Sequence, residues 1–257
     1  MGADGIPGSA VAVARLQAAG EQVLFVTNNS GRRVVEVEAK LAEHGIDAMG
    51  GVITSGMAAA RMVEPGETVL GLCGPGAREE LEARGARVVR EGPADTVVVG
   101  FHEDFDYWRL TAAVRAVLGG ARILATNEDA TWPADDGIRP GCGAIVAALV
   151  AATGAVPEVA GKPHRPICDL VVEVAGSTGT VVGDRPDTDG LLARALGWDF
   201  ALVMSGVVGE DDLPVDPLPD SVHADLAAVV ETSSGSCPLL VGWGLIPRLG
   251  ELLHQAG

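Results

Sequence analysis

The chain has 257 residues, 47% of them hydrophobic, which is enough for one large domain or for a core with a second domain inserted. Its formal net charge of −17 argues against nucleic acid or anionic membrane as a partner, because both are held by Lys/Arg surfaces. The longest apolar run, Ala144 to Ala152, falls well short of the roughly 20 residues of a membrane-spanning helix. From the N-terminus, Met1-Gly2-Ala3-Asp4-Gly5 shows neither a basic start nor an apolar stretch before a cleavage site. No secretory leader is expected, and the expected compartment is the cytoplasm. Gln22 to Val26 then reads as a strand, Arg33 to Glu43 as a helix, Val69 to Leu72 as a strand and Ala77 to Arg84 as a helix. Phe101, Phe105, Tyr107 and Trp108 form an aromatic cluster that reads as core packing. Thr96 to Val99, Ile123 to Ala125, Gly179 to Val182 and Ala201 to Met204 repeat the strand pattern, with helical stretches between them. Such alternation predicts an α/β fold with a mainly parallel sheet. Pro214 to Ser221 and Thr232 to Cys237 read as loops, and the tail from Pro238 is apolar enough to pack but has no readable role. Cys73, Cys142, Cys168 and Cys237 lack CxxC spacing, so they read as reduced thiols rather than a zinc knuckle or a disulfide framework.

In an open parallel sheet, ligands bind outside the carboxyl ends of the strands, and three such ends carry chemistry. Phe25-Val26-Thr27-Asn28-Asn29-Ser30 ends an apolar strand in two hydroxyls and two amides before helical residues begin. Hydroxyl and backbone N–H donors converging there suit a phosphate, although Asn and Ser also serve as plain helix caps. Val181-Val182-Gly183-Asp184-Arg185-Pro186-Asp187-Thr188-Asp189-Gly190 places three carboxylates within six residues. Mg²⁺ is held by one or two carboxylates together with waters and substrate phosphate, whereas a solvated acidic turn has the same composition. Gly161-Lys162-Pro163-His164 offers a lysine in a stretch poor in cations, able to neutralise phosphate and carboxylates or simply to face solvent.

In this order, the three elements resemble the haloacid dehalogenase phosphatases, closely the subfamily with a large α/β cap inserted between the second and third motifs. Phe25 to Ser30 is similar to the second motif, Gly161-Lys162-Pro163 to the third, and Gly183-Asp184-Arg185 through Thr188-Asp189 to the fourth. Ala125-Thr126-Asn127-Glu128-Asp129, followed by Pro133, Gly137 and Pro140-Gly141-Cys142-Gly143, is similar to the cap's ATNxD and PGxG pattern. The resemblance covers the chain to about Glu231. It implies a Rossmann-like parallel-sheet core over residues 1–68 and 159–257, with an α/β cap over 69–158. It implies hydrolysis of a small phosphorylated metabolite, such as glycerol phosphate, phosphoglycolate or a sugar phosphate, with Mg²⁺ as cofactor. Thr27 and Lys162 would be catalytic, Asn28, Asn127 and Asp129 would bind substrate, and Asp184 and Asp189 would hold the metal. Pairing of caps into a homo-oligomer is compatible with it.

The family begins with a strand ending in DxDG, whose first Asp attacks phosphorus and whose second serves as acid and base. That segment should lie just upstream of Ile6-Pro7-Gly8, where Asp4-Gly5 reads as a loop and no strand precedes it. The first strand, central in the family's sheet, is therefore expected to be missing. Its loss would forfeit several ladder hydrogen bonds at about 1 kcal/mol each. It would also forfeit several buried side chains at roughly 1.5–3 kcal/mol each, against a typical total stability of about 5–15 kcal/mol. A chain starting at Met1 is thus expected to be marginal unless another segment fills the gap. A start upstream of Met1 is the favoured expectation because the other motifs are intact. The alternative is a catalytically inactive protein that binds phosphate or a metabolite. An α/β oxidoreductase is disfavoured, since no GxGxxG follows a first strand and Gly74-Pro75-Gly76 is too short a match.

Overall fold

A computed structural model describes residues 6–48, 50–134, 137–232 and 239–242. In chain order the elements run α1 (Ser9–Ala18), β1 (Val23–Thr27), α2 (Val34–Glu43), β2 (Val52–Thr54), α3 (Ser55–Ala60), β3 (Thr68–Leu72), α4 (Pro75–Ala83), β4 (Arg87–Val89) and β5 (Thr96–Val99). They continue with α5 (Tyr107–Leu118), β6 (Arg122–Ala125), β7 (Thr131–Ala134), β8 (Gly137–Pro140), α6 (Cys142–Thr153), β9 (Glu158–Val159), α7 (Arg165–Ala175) and β10 (Thr180–Gly183). A wide π-type turn (Pro186–Gly190) follows, then α8 (Leu191–Leu196), β11 (Asp199–Val203), β12 (Ser221–His223), α9 (Leu226–Thr232) and β13 (Leu239–Gly242).

Two parallel sheets result, one six-stranded in the order β12-β11-β10-β13-β1-β2 and one five-stranded in the order β4-β3-β5-β6-β9; β7 and β8 form a separate antiparallel hairpin. Strands buried on both faces read as continuous apolar runs, and β1, Val-Leu-Phe-Val-Thr, is buried along its whole length. Its side chains alternate between faces. Leu24 and Val26 join Ile167 and Val171 of α7, Leu192 of α8 and the alanines of α3. Val23 and Phe25 join Ala12 and Val13 of α1, Val37 and Leu41 of α2, and Leu226 and Val229 of α9. The five-stranded sheet is built alike: Leu70, Leu72, Val97, Val99 and Ile123 meet α5 and α6 on one face, and Val69, Val98 and Leu124 meet α4 on the other.

The gap anticipated in the middle of the main sheet is occupied by β13. It pairs in parallel with β1 (Val26 opposite Gly242) and with β10 (Val182 opposite Val241), and Val241 is fully buried. A tail without a readable role thus supplies the central strand. The aromatic cluster corrects a second expectation. Tyr107 and Trp108 are each 75% exposed and pack edge-on against each other, because α5 turns its small residues Ala113 and Ala116 inward. Only Phe101 packs inside, against Trp132 of the hairpin. The expected loop at Pro214–Ser221 is irregular as far as Asp220, and β12 begins at Ser221, whereas Thr232 closes α9 and residues 233–237 lie outside the described residues, as does Asp4. No helix among the described residues is long and apolar enough to cross a membrane.

Candidate active site

Because β1, β13 and β10 run parallel, their carboxyl ends share one edge of the sheet, and the predicted residues gather there. Thr27 ends β1 and is 1% exposed, with its Oγ1 accepting from the Asn29 N–H at 3.0 Å. Asn28 connects four segments. Its Oδ1 accepts from the Lys162 N–H at 2.8 Å, and its Nδ2 donates to the Lys162 carbonyl at 3.2 Å and to both Asp129 oxygens at 3.3 Å. Its carbonyl accepts from Asn127 Nδ2 at 2.7 Å and from Ser55 Oγ at 2.8 Å. Such pairing demands a close approach, which glycine permits. A Cβ at Gly161 would lie 2.5 Å from both Asn28 Oδ1 and the Thr126 carbonyl oxygen. Likewise a Cβ at Gly141 or Gly143 would strike the Asp129 or Glu128 carbonyl oxygen, at 2.2 and 2.3 Å, so these glycines let the start of α6 clamp the loop that carries Asn127 and Asp129.

The charged centre lies behind these amides. Lys162, 5% exposed, donates from Nζ to Asp189 Oδ1 at 2.6 Å and to the Val26 carbonyl at 3.1 Å. Asp189 sits in the π-type turn, a geometry frequent at functional sites, and its Oδ2 accepts from the Arg185 N–H at 3.3 Å. Asp184 follows β10 directly and is 1% exposed; its Oδ2 accepts from the Val207 N–H at 2.7 Å, while its buried Oδ1 has no partner. Burial, and secondarily the Asp189 carboxylate, holds the Asp184 carboxyl above its ordinary range. The buried lysine thus pairs with Asp189, while the unmatched oxygen of Asp184 suits a cation. A divalent ion bound through one or two carboxylates, waters and substrate fits that donor, although the described residues contain no group of three or more His, Cys, Asp or Glu side chains that could hold a metal by themselves.

In front of this centre opens a cleft of about 340 Å³, lined on one side by Glu128, Asp129 and Thr131 and on the other by Lys162, Arg185 and Thr188. Of the seven residues singled out in the sequence, Asp129 and Lys162 line it; Thr27, Asn28, Asn127, Asp184 and Asp189 form its buried support. Burial raises the Asp129 carboxyl above its ordinary range, opposed by Arg185, Lys162 and the bond from Asn28. Two contributors carry no assigned role in the sequence reading. Arg185 reaches the cleft while its side chain pairs with Asp187 at 2.8 Å, and its position as the lone cation within the acidic cluster was the available signal. His164 Nε2 lies 2.8 Å from Glu128 Oε1, across the seam between the two sheets.

Comparison with known proteins agrees with this geometry. Residues 1–87 match the haloacid dehalogenase-like hydrolase family, and residues 159–229 match a second family described as HAD-hydrolase-like. An acid sugar phosphatase of Staphylococcus epidermidis is 35% identical over 203 residues, covering 76% of this chain and 78% of the relative. A p-nitrophenyl phosphatase from Archaeoglobus fulgidus superposes with a TM-score of 0.83 at 31% identity, covering 90% of this chain and 94% of its own. A glycerol phosphate phosphatase from Mycobacterium tuberculosis, solved with calcium and also with magnesium, gives TM-scores of 0.83 and 0.82 at 34% identity; it is covered over 70% and 72% of its length and this chain over 89%. A parallel sheet with a lysine and two aspartates at its carboxyl edge, together with these relatives, defines a phosphatase class. The chain belongs to the haloacid dehalogenase-like hydrolases, among their phosphatases.

Proposed function

We propose that this protein hydrolyses a small phosphomonoester of the sugar phosphate or glycerol phosphate type, with Mg²⁺ at Asp184. The observation that carries the proposal is the unpartnered buried Oδ1 of Asp184 beside the buried Lys162–Asp189 pair. Residues 69–158 act in this reading as a cap whose loop 127–129 closes one wall of the cleft. Lys162 keeps a donor for a phosphoryl oxygen, since two of the three on its ammonium are used by Val26 and Asp189. Thr27 presents its hydroxyl at the same strand edge. Asn28 and Asn127 hold the cap loop against the core, and Asp129 accepts a hydroxyl of the leaving group. Asp189 fixes the lysine and completes the negative ground beside the metal. When bound, the metal supplies charge neutralisation at the phosphoryl oxygens. The names of the relatives, acid sugar phosphatase and glycerol phosphate phosphatase, support the substrate class.

A second reading, phosphate-ester binding without turnover, rests on β13. The resemblance implies an attacking aspartate at the end of the strand between β1 and β10, and there β13 reads Leu-Leu-Val-Gly. A phosphate-release screen over phosphorylated sugars, polyols and glycolate, with Mg²⁺ or with chelator, decides between the two. Release that requires Mg²⁺ and is lost in Asp184→Asn supports hydrolysis. Undiminished release in Asp184→Asn removes the metal assignment, and thermal stabilisation by the esters without any release supports the second reading.

A further inference from the structure

The chain passes between the two sheets twice, outward through Met62 to Glu67 and back after β9. One side chain ties the outward crossing to the starts of β5 and β9. Arg122, at the start of β6, donates from Nε to Thr96 Oγ1 at 2.9 Å, from Nη1 to Glu158 Oε1 at 3.2 Å and from Nη2 to the Met62 carbonyl at 2.6 Å. Its Nη2 also lies 3.6 Å from Glu67 Oε1, and Glu67 accepts from Thr96 Oγ1. Backbone bonds at the same place, from the Arg122 N–H to the Asp95 carbonyl at 3.1 Å and from the Thr68 N–H to Asp95 Oδ2 at 2.8 Å, anchor β6 to β5 and β3. Guanidinium is the side chain suited to this task, because its planar fork serves several acceptors at fixed angles.

We propose that Arg122 is the hinge pin of the inserted unit, a positioning residue that fixes the angle at which β6 delivers Thr126 to Asp129 to the core. At about 3.3 Å per residue, Thr126 lies roughly 13 Å along the strand from Arg122. A tilt of about 5° at one end then moves the other by roughly 1 Å, and a misplacement of about 1 Å can cost on the order of 100-fold in rate. The contacts at that far end are short, 2.7 Å from Asn127 to the Asn28 carbonyl and 2.8 Å between Ser30 Oγ and Thr126 Oγ1, so the pin holds them in register.

The consequence for turnover rests on the hydrolysis reading, whereas the geometry is measurable without it. Spin labels at Val35→Cys and Leu118→Cys, exposed positions on α2 and α5, in a Cys237→Ser background report the distance between the two units. Arg122→Met should at least double the width of the distance distribution. Arg122→Lys, which keeps the charge on a single donor nitrogen, should restore part of it, and Glu158→Gln should broaden it less than Arg122→Met. With p-nitrophenyl phosphate as probe, Arg122→Met should lower kcat tenfold or more with less than a threefold change in KM, partly rescued by lysine. An unchanged distribution in both Arg122→Met and Glu158→Gln overturns the proposal, and so does a lowered Tm with distribution and kcat unchanged, the behaviour of a mere brace. If the parent releases no phosphate, the hydrolysis reading fails while the distances still judge Arg122.

Discussion

Lys162 Nζ lies 2.6 Å from Asp189 Oδ1 with both side chains almost fully buried, and this pair joins the strand end of β1 to the turn after β10. Buried pairs add little over apolar replacements, yet removing one partner leaves an uncompensated charge. Lys162→Met is therefore expected to lower unfolding free energy by about 3–5 kcal/mol. Lys162→Met combined with Asp189→Leu should recover much of that loss. Urea unfolding of the two variants measures the difference.

Gly161→Ala should be costly without adding charge. The new methyl meets Asn28 Oδ1 and the Thr126 carbonyl at 2.5 Å, and Asn28 Oδ1 is already held by the Lys162 N–H. Overpacking of this kind costs about 1–3 kcal/mol, and the displaced Asn28 should also loosen Lys162 and Asp129. A thermal melt with an assay of phosphate release checks both effects.

Asp129 sets a pH dependence. Burial raises its folded carboxyl above the unfolded value, so the folded state binds the proton more tightly. The penalty for ionising it is absent below the unfolded pKa, develops as pH rises through the folded pKa, and is complete above that. Asp129→Asn cannot ionise and should be more stable than the parent at neutral pH, with the advantage shrinking toward acid. Tm measured from acid to neutral pH shows whether the two curves converge toward acid.

The strand β13 predicts its own weak point. Val241 is fully buried between Val182 and Phe25, its registered neighbours, so Val241→Asp places a carboxylate in the core. The expected outcome is loss of cooperative unfolding of the main sheet, seen by circular dichroism, whereas the exposed Val222→Asp on β12 should leave it intact.

The strand ends that carry Thr27, Asp184 and Lys162 were legible because each couples a local apolar run or tight turn to an unusual polar residue. Boundaries moved by only a residue or two: Gln22–Val26 became Val23–Thr27, and Gly179–Val182 became Thr180–Gly183. By contrast β13 has four residues and no local signature; its place depends wholly on pairing with strands far away in the chain. Arg122 looked like any basic residue at a strand start, since its acceptors at Met62, Thr96 and Glu158 meet only after two sheets have formed. Tyr107 and Trp108 misled because aromatic residues usually bury, whereas here α5 gives its inward face to small side chains.

In the proposed function, the strand edge formed by Thr27, Lys162 and Asp184 holds a phosphoryl group with a divalent ion. Calorimetric titration of inorganic phosphate into the protein with Mg²⁺ present measures that binding. One site per chain is expected, abolished by chelator or by Asp184→Asn and weakened at least tenfold in a folded Lys162→Gln variant. Phosphate binding of unchanged affinity in both variants would rule out a phosphoryl site at this strand edge.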